Sequence, residues 1–254
     1  MVFTTRNIAM TSKSKITDVL AGRFALSCLL SLSVLVLCSA ETGAAQGYKA
    51  EKINAPPPQE LSAAVRETLS GDALRVIGPN GPLCEIWLRK VLPAKTTVTE
   101  ELGISFGQLA EGTLIAAVRF PSQVRDFRRQ RVKPGVYTLR YALVPVDGNH
   151  SGVAPQRDFL LATPAAADPS PANITRDEAL NLSRKTTGTN HPSVWSIAAG
   201  GNAAGAVPTL NHQEDGDLWL LELRVQVRPG GEGAPTPAAT VAMRMVVVGF
   251  APEA

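Results

Sequence analysis

The chain is 254 residues long, enough for one or two domains. It is 44% hydrophobic and 19% charged, which excludes wholesale disorder, and its net charge of +3 is too small to argue for a nucleic-acid partner. With 21 glycines and 19 prolines it is punctuated too heavily for an all-helical bundle.

Phe24 to Cys38 (FALSCLLSLSVLVLC) is an apolar run of 15 residues without a charge. Arg6, Lys13, Lys15 and Arg23 precede it against one acid, Asp18, and the small residues Ser39, Ala40, Gly43, Ala44 and Ala45 follow it. A basic start, a short apolar core and a small-residue exit predict a secretory signal peptide over residues 1–45, and so a secreted or periplasmic protein. The run falls short of the roughly 20 apolar residues that a helix needs to cross a bilayer core. The cut is expected after Ala45, with Cys38-Ser39-Ala40 as a second position, and translation can begin at Met1 or at Met10. Two other readings exist: an uncleaved membrane anchor, and a lipid on Cys38, which Leu37 opposes because a small residue is required there. No later stretch is apolar and long enough to span, so no stable membrane span is expected after cleavage. The remaining 209 residues carry 21 basic and 20 acidic side chains and a single cysteine, Cys84. One cysteine forms no internal disulfide, and about 200 residues bury enough surface to fold without one.

Residues 46–60, with Pro56-Pro57-Pro58, read as an extended Pro-rich linker. Leu61, Ala64, Val65 and Leu69 in 60–69 have helical spacing. The period then changes to two. Residues 73–77 and 83–92 flank Pro79-Asn80-Gly81-Pro82, which predicts a hairpin. Cys84, Ile86 and Leu88 fall on one face of its second strand, and Glu85, Trp87 and Arg89 on the other. Residues 112–120 form a further strand. In 136–145, Tyr137, Leu139, Tyr141 and Leu143 alternate with Thr138, Arg140 and Ala142, and 158–162 is expected to pair with it across a loop. After an Ala/Pro-rich connection at 163–174, Thr175-Arg176-Asp177-Glu178 matches a capping box, with Ile174 and Ala179 as its staple. The helix it opens should run to about Lys185 and end before Gly188. Strands follow at 193–199, 217–228 and 240–250, the last two separated by a Gly/Pro-rich loop at 229–239.

Seven to nine strands, one or two short helices and no βαβ alternation predict a mainly β fold, an antiparallel immunoglobulin-like β-sandwich over 61–254.

Candidate chemistry is sparse. The three histidines, His150, His191 and His212, each follow an asparagine in turn-rich segments outside the predicted strands. Loops at one end of a sandwich bring distant residues together, and imidazoles with Asp147 or Asp215 can bind copper or zinc. Against this stands the plainer reading of three separate loop histidines, since their spacing matches no compact metal motif. Gly103-Ile104-Ser105-Phe106-Gly107 fits the G-x-S-x-G pattern of a hydrolase elbow, which needs a strand before the serine and a helix after it. Here a polar stretch precedes it and a strand follows. Arg125-Asp126-Phe127-Arg128-Arg129-Gln130-Arg131-Val132-Lys133 is the one basic concentration. It suits an acidic surface, a lipid headgroup or a polyanion, or it is a solvated loop. Cys84 alternates with core residues and reads as a buried thiol. Trp87, Trp195 and Trp219 are candidates for a sugar-stacking platform. Trp219 shares a face with aliphatic residues, whereas Trp87 lies on the more polar face and is the candidate ligand-binding aromatic.

The stretch from Gly135-Val136-Tyr137-Thr138-Leu139-Arg140-Tyr141 through Asp147-Gly148-Asn149-His150-Ser151-Gly152 to Phe159-Leu160-Leu161 resembles a segment of CopC-like periplasmic copper-binding proteins. The resemblance implies an immunoglobulin-like sandwich and a copper site to which an aspartate and a histidine contribute, here Asp147 and His150. The chain departs from that pattern in the inserted Asn149 and in having no histidine near the predicted cut. The likeness covers about 27 of 209 residues, and the rest resembles uncharacterised secreted bacterial β-proteins. The leading expectation is an exported, non-catalytic binding or structural module. The alternatives are a copper- or zinc-binding protein using Asp147, His150, His191 and His212, and a serine hydrolase at Ser105.

Overall fold

The computed structural model describes residues 47–98, 100–145, 156–200, 206–231 and 233–252, which belong to a compact unit spanning Gln46–Ala254. The predicted signal peptide lies outside the described residues. Among them, no helix is long and apolar enough to cross a membrane.

The fold is mainly β. Its strands are β1 (Lys49–Ile53), β2 (Ala73–Gly78), β3 (Gly81–Leu88), β4 (Leu92–Ala94), β5 (Leu114–Phe120), β6 (Val124–Arg125), β7 (Arg131–Val132), β8 (Gly135–Leu143), β9 (Asp158–Pro164), β10 (Ser193–Ala199), β11 (Thr209–Gln213), β12 (Leu218–Pro229) and β13 (Ala239–Val248). Two helices, α1 (Ala63–Thr68) and α2 (Arg176–Thr187), accompany them. Eleven strands make one curled sheet in the order β1-β2-β3-β5-β8-β9-β10-β13-β12-β11, with β4 added in parallel to the end of β12. Every other pairing in that sheet is antiparallel. β6 and β7 form a separate two-stranded ribbon. The strands do not divide into two independent sheets. β10 pairs with β9 through Ser193–Ser196 and with β13 through Ile197–Ala199, so one strand turns the corner. The two ends of the path, β1 and β11, come into contact.

The linker expected over 46–60 is partly a strand. Lys49 to Ile53 pair in register with Ile77 to Ala73 of β2. Lys, Glu and Lys at 49, 51 and 52 hide a strand in so short a segment, and such charges suit an edge, where they discourage pairing with other chains. Tyr48 closes the seam: its ring lies 5.1 Å from that of Trp219. A Cβ at Gly78 would stand 2.7 Å from the Tyr48 ring, so glycine there makes room for it.

The concave side of the sheet holds the main core, to which Ile86, Val118, Leu139, Tyr141, Trp195, Leu221 and Met245 contribute from separate strands. The convex side is covered too. α1, capped by Ser62 Oγ on the Val65 N–H at 3.1 Å, brings Leu61, Val65 and Leu69 onto Trp87, Leu114 and Ala117. α2 packs Ala179 against Phe159 and Leu161. Thr175 Oγ1 accepts from the Glu178 N–H at 3.3 Å, and Gly188, in the left-handed region at φ 67°, ends the helix.

Between the helices, residues 165–174 cross the convex face of β5 and β8. The guanidinium of Arg140, fully buried, donates all five of its N–H bonds. Two go to Asp168 (2.7 and 2.8 Å), and one each to the carbonyls of Gly112 (2.5 Å), Ala172 (2.9 Å) and Ser170 (2.5 Å). Ser62 donates to Pro169 O and Arg89 to Pro171 O. Four consecutive carbonyls, 169 to 172, thus each receive a side-chain donor in a segment whose prolines cannot donate. A buried charge is tolerable only when paired and saturated in this way.

Candidate functional site

Trp87 does not face solvent. It is 1% exposed, lies under α1, and donates its indole N–H to Ala55 O at 2.8 Å. The reading of Trp87 as a surface ligand platform is therefore corrected: the polar-looking side of β3 is a second core, covered by a helix. Trp219 is the half-exposed tryptophan, and its ring is occupied from within, by His212 stacked at 4.6 Å and by Tyr48.

His150 and Asp147 lie outside the described residues. His212 is on β11 rather than in a turn, opposite Trp219, with Nε2 2.7 Å from Asp217 Oδ1. His191 stands in the loop between α2 and β10, 3.3 Å from Arg128 Nη1 through its Nδ1. Arginine only donates, so that nitrogen is the acceptor of this contact. Each of the two histidines thus has its own partner on a different element. Among the described residues, no group of three or more His, Cys, Asp or Glu side chains is placed to hold a metal ion.

Ser105 lies in the loop between β4 and β5, followed by a strand and not by the helix that a nucleophile elbow requires. Its hydroxyl donates to Gln156 Oε1 at 3.2 Å and its backbone N–H to Asp158 Oδ2 at 2.7 Å. Among the described residues its hydrogen-bond partners include no histidine. Buried Asp158 also accepts from Phe106 N (3.1 Å) and from the Tyr141 hydroxyl (2.7 Å). Burial, then this bond and the carboxylate's charge, raise the Tyr141 hydroxyl pKa, so it remains a donor. The group anchors a loop. Cys84 is buried, and burial, aided by nearby Glu85, pushes its thiol up to about 12; thiolate chemistry is not accessible to it at neutral pH.

The basic run is where local structure departs from local preference. Residues 124–132 form the β6–β7 ribbon instead of a loose loop. The buried carboxylate of Asp126 organises it, accepting from the N–H groups of Arg128 (3.0 Å), Gln130 (2.9 Å) and Val194 (3.1 Å) and from Gln130 Nε2 (2.9 Å). Desolvation raises the Asp126 pKa and those hydrogen bonds only partly offset it. Phe127 plugs a small cluster with Leu220 and Val246, while its N–H donates to Val194 O and its carbonyl accepts from Ala251 N. Gln130 donates to Pro192 O and accepts from Thr189 Oγ1. The ribbon is therefore bolted to the segment between α2 and β10.

On this frame stand Arg125, Arg128, Arg129, Arg131 and Lys133, all exposed. Arg125 and Arg131 are directly opposed in the β6–β7 register. Like charges so placed repel and destabilise the pair. Arg129 occupies the left-handed region at φ 64°, unusual for a non-glycine residue, and its guanidinium lies 4.6 Å over the Phe250 ring. The last turn of α2 adds Arg184 and Lys185; Arg184 donates to Asn190 O at 2.9 Å and to Asn181 Oδ1. Among the described residues, Arg125, Arg128, Arg131, Lys133, Arg184 and Lys185 form no ion pair. The one acid within the run spends its oxygens on internal N–H groups.

Sequence reasoning found the run, the helix ending near Lys185 and His191 separately, but not that they adjoin. The signal was present: Arg184 and Lys185 close a capped helix, and Gly188 turns the chain back toward the ribbon. Comparison with family models, with curated proteins and with solved structures finds no match, so the site is argued from its own chemistry.

Proposed function

We propose that this protein is an exported, non-catalytic binding module, and that the cationic face of the β6–β7 ribbon and the end of α2 is its binding surface for an anionic partner. The observation that carries the reading is the opposed Arg125–Arg131 pair, held on the ribbon that Asp126 organises and forming no ion pair among the described residues. Arg125 Nη1 donates to Arg129 O at 2.7 Å, which ties it to the ribbon's turn, but nothing in that bond calls for a second arginine at the opposed position. An external anion does, because it removes the repulsion on binding, and guanidinium forks match oxyanions in two-point hydrogen bonds. The basic, apolar and small-residue order of residues 1–45 supports export. A sandwich-like layering, in which both layers share β10, is the architectural reading that the common core favours.

The test is retention of the full chain on immobilised dextran sulfate, a polyanion without lipid. Retention is expected to fall steeply with salt, and the Arg125→Gln/Arg131→Gln double variant is expected to elute at lower salt. A chain that is not retained, or a double variant that elutes with the parent, would overturn the reading.

A further inference from the structure

We infer that the partner of this face is the surface of an anionic phospholipid bilayer. The inference rests on the binding reading above and adds the identity of the partner. Two observations carry it. First, the cations stand on the outer side of a ribbon whose Val124 and Val132 join the main core, and on the adjoining helix end; all but the half-buried Arg184 are exposed. By contrast, a cavity of about 250 Å³ lies on β11 and β12, lined by Thr209, Asn211, Glu222 and Arg224, and shares no residue with the face. Side chains spread over an open surface suit an extended charged plane better than a small anion, which needs a hollow. Second, Arg129 is seated on Phe250, half-buried beside it. An aromatic ring carrying a guanidinium suits the headgroup zone, where amphipathic rings and basic side chains both partition favourably. Export through a leader, expected from residues 24–45, is consistent with this partner.

The strength follows from simple electrostatics. Each Lys or Arg held near an anionic bilayer contributes about 1 kcal/mol, attenuated by salt within a Debye length. Losing two such charges should weaken binding roughly 30-fold, since about 1.4 kcal/mol is a factor of ten.

The experiment is co-sedimentation of the full chain with vesicles of phosphatidylcholine alone and of phosphatidylcholine mixed with phosphatidylglycerol. Binding to phosphatidylcholine alone, through the apolar run 24–38, is the baseline. The expected result is an additional, salt-reversible increment on the mixed vesicles. Arg125→Gln/Arg131→Gln should cut that increment roughly 30-fold, whereas Lys49→Gln/Lys90→Gln, the same charge loss off the face, should leave it unchanged. No increment on the mixed vesicles while dextran sulfate still retains the chain overturns the lipid assignment and leaves the binding surface standing. An equal loss in both double variants overturns the face as the lipid site, and failure on both polyanions overturns both readings.

Discussion

Asp126 shows how one side chain shapes the molecule without lending it net electrostatic stability. Its carboxyl is raised by burial. A raised folded pKa links to stability that is present at acid pH and is lost as pH rises through the folded value. At neutral pH its value is geometric, as acceptor for four N–H groups. Asp126→Ala strands those donors and should cost roughly 2–4 kcal/mol in urea unfolding, with loss of dextran sulfate retention as the ribbon loosens. A variant with parental stability would show that the ribbon does not depend on this clamp. Cys84 makes a different prediction. Its thiol moves from an ordinary 9.0 to about 12 in the fold, so its contribution is intact below pH 9 and is lost between pH 9 and about 12. A disulfide reagent should leave the native thiol unmodified at pH 8 and modify it on unfolding; rapid native reaction would contradict the burial.

The strap over residues 165–174 and the strand beneath it show what the sequence made legible in each element and what it hid. The β2–β3 and β8–β9 hairpins and the capped helix α2 could be read because turn chemistry and alternation are local. Strand β8 could be read only on its apolar face. Thr138 and Arg140 alternate as though they met water, yet both are fully buried, because Asp168, some 30 positions on, returns to pair with them. That partnership is set by the path of the connection and leaves no periodic trace. Trp87 was misread for the same reason: a helix from earlier in the chain covers its face. The basic run was legible as composition, but its ribbon and opposed arginines depend on Asp126 reaching β10. Asp168→Asn leaves the Arg140 charge buried and should cost about 3–5 kcal/mol in chemical unfolding; a loss below 1 kcal/mol would mean that the guanidinium finds other compensation. Gly112, in the left-handed region at φ 82°, lies where a Cβ would stand 1.9 Å from Ile174 O. Gly112→Ala should therefore cost about 2–4 kcal/mol through strain and displacement of the strap.

Across the fold, stability and binding are divided between regions. The curled sheet, packed on both faces and latched by Tyr48 against Trp219, holds itself together by apolar burial and the saturated Arg140 pair. The cationic ribbon turns Val124 and Val132 into the main core and leaves its arginines exposed, where the Arg125–Arg131 register carries a repulsion that the rest of the fold sustains. That division makes stability and affinity respond oppositely to one substitution. Arg131→Gln removes the charge facing Arg125 while keeping a polar side chain on the exposed strand. Its unfolding free energy should equal the parent's or exceed it by up to about 1 kcal/mol, while its retention on dextran sulfate falls. A variant that is clearly less stable and binds as tightly as the parent would contradict the assignment of the arginine pair to an external anion.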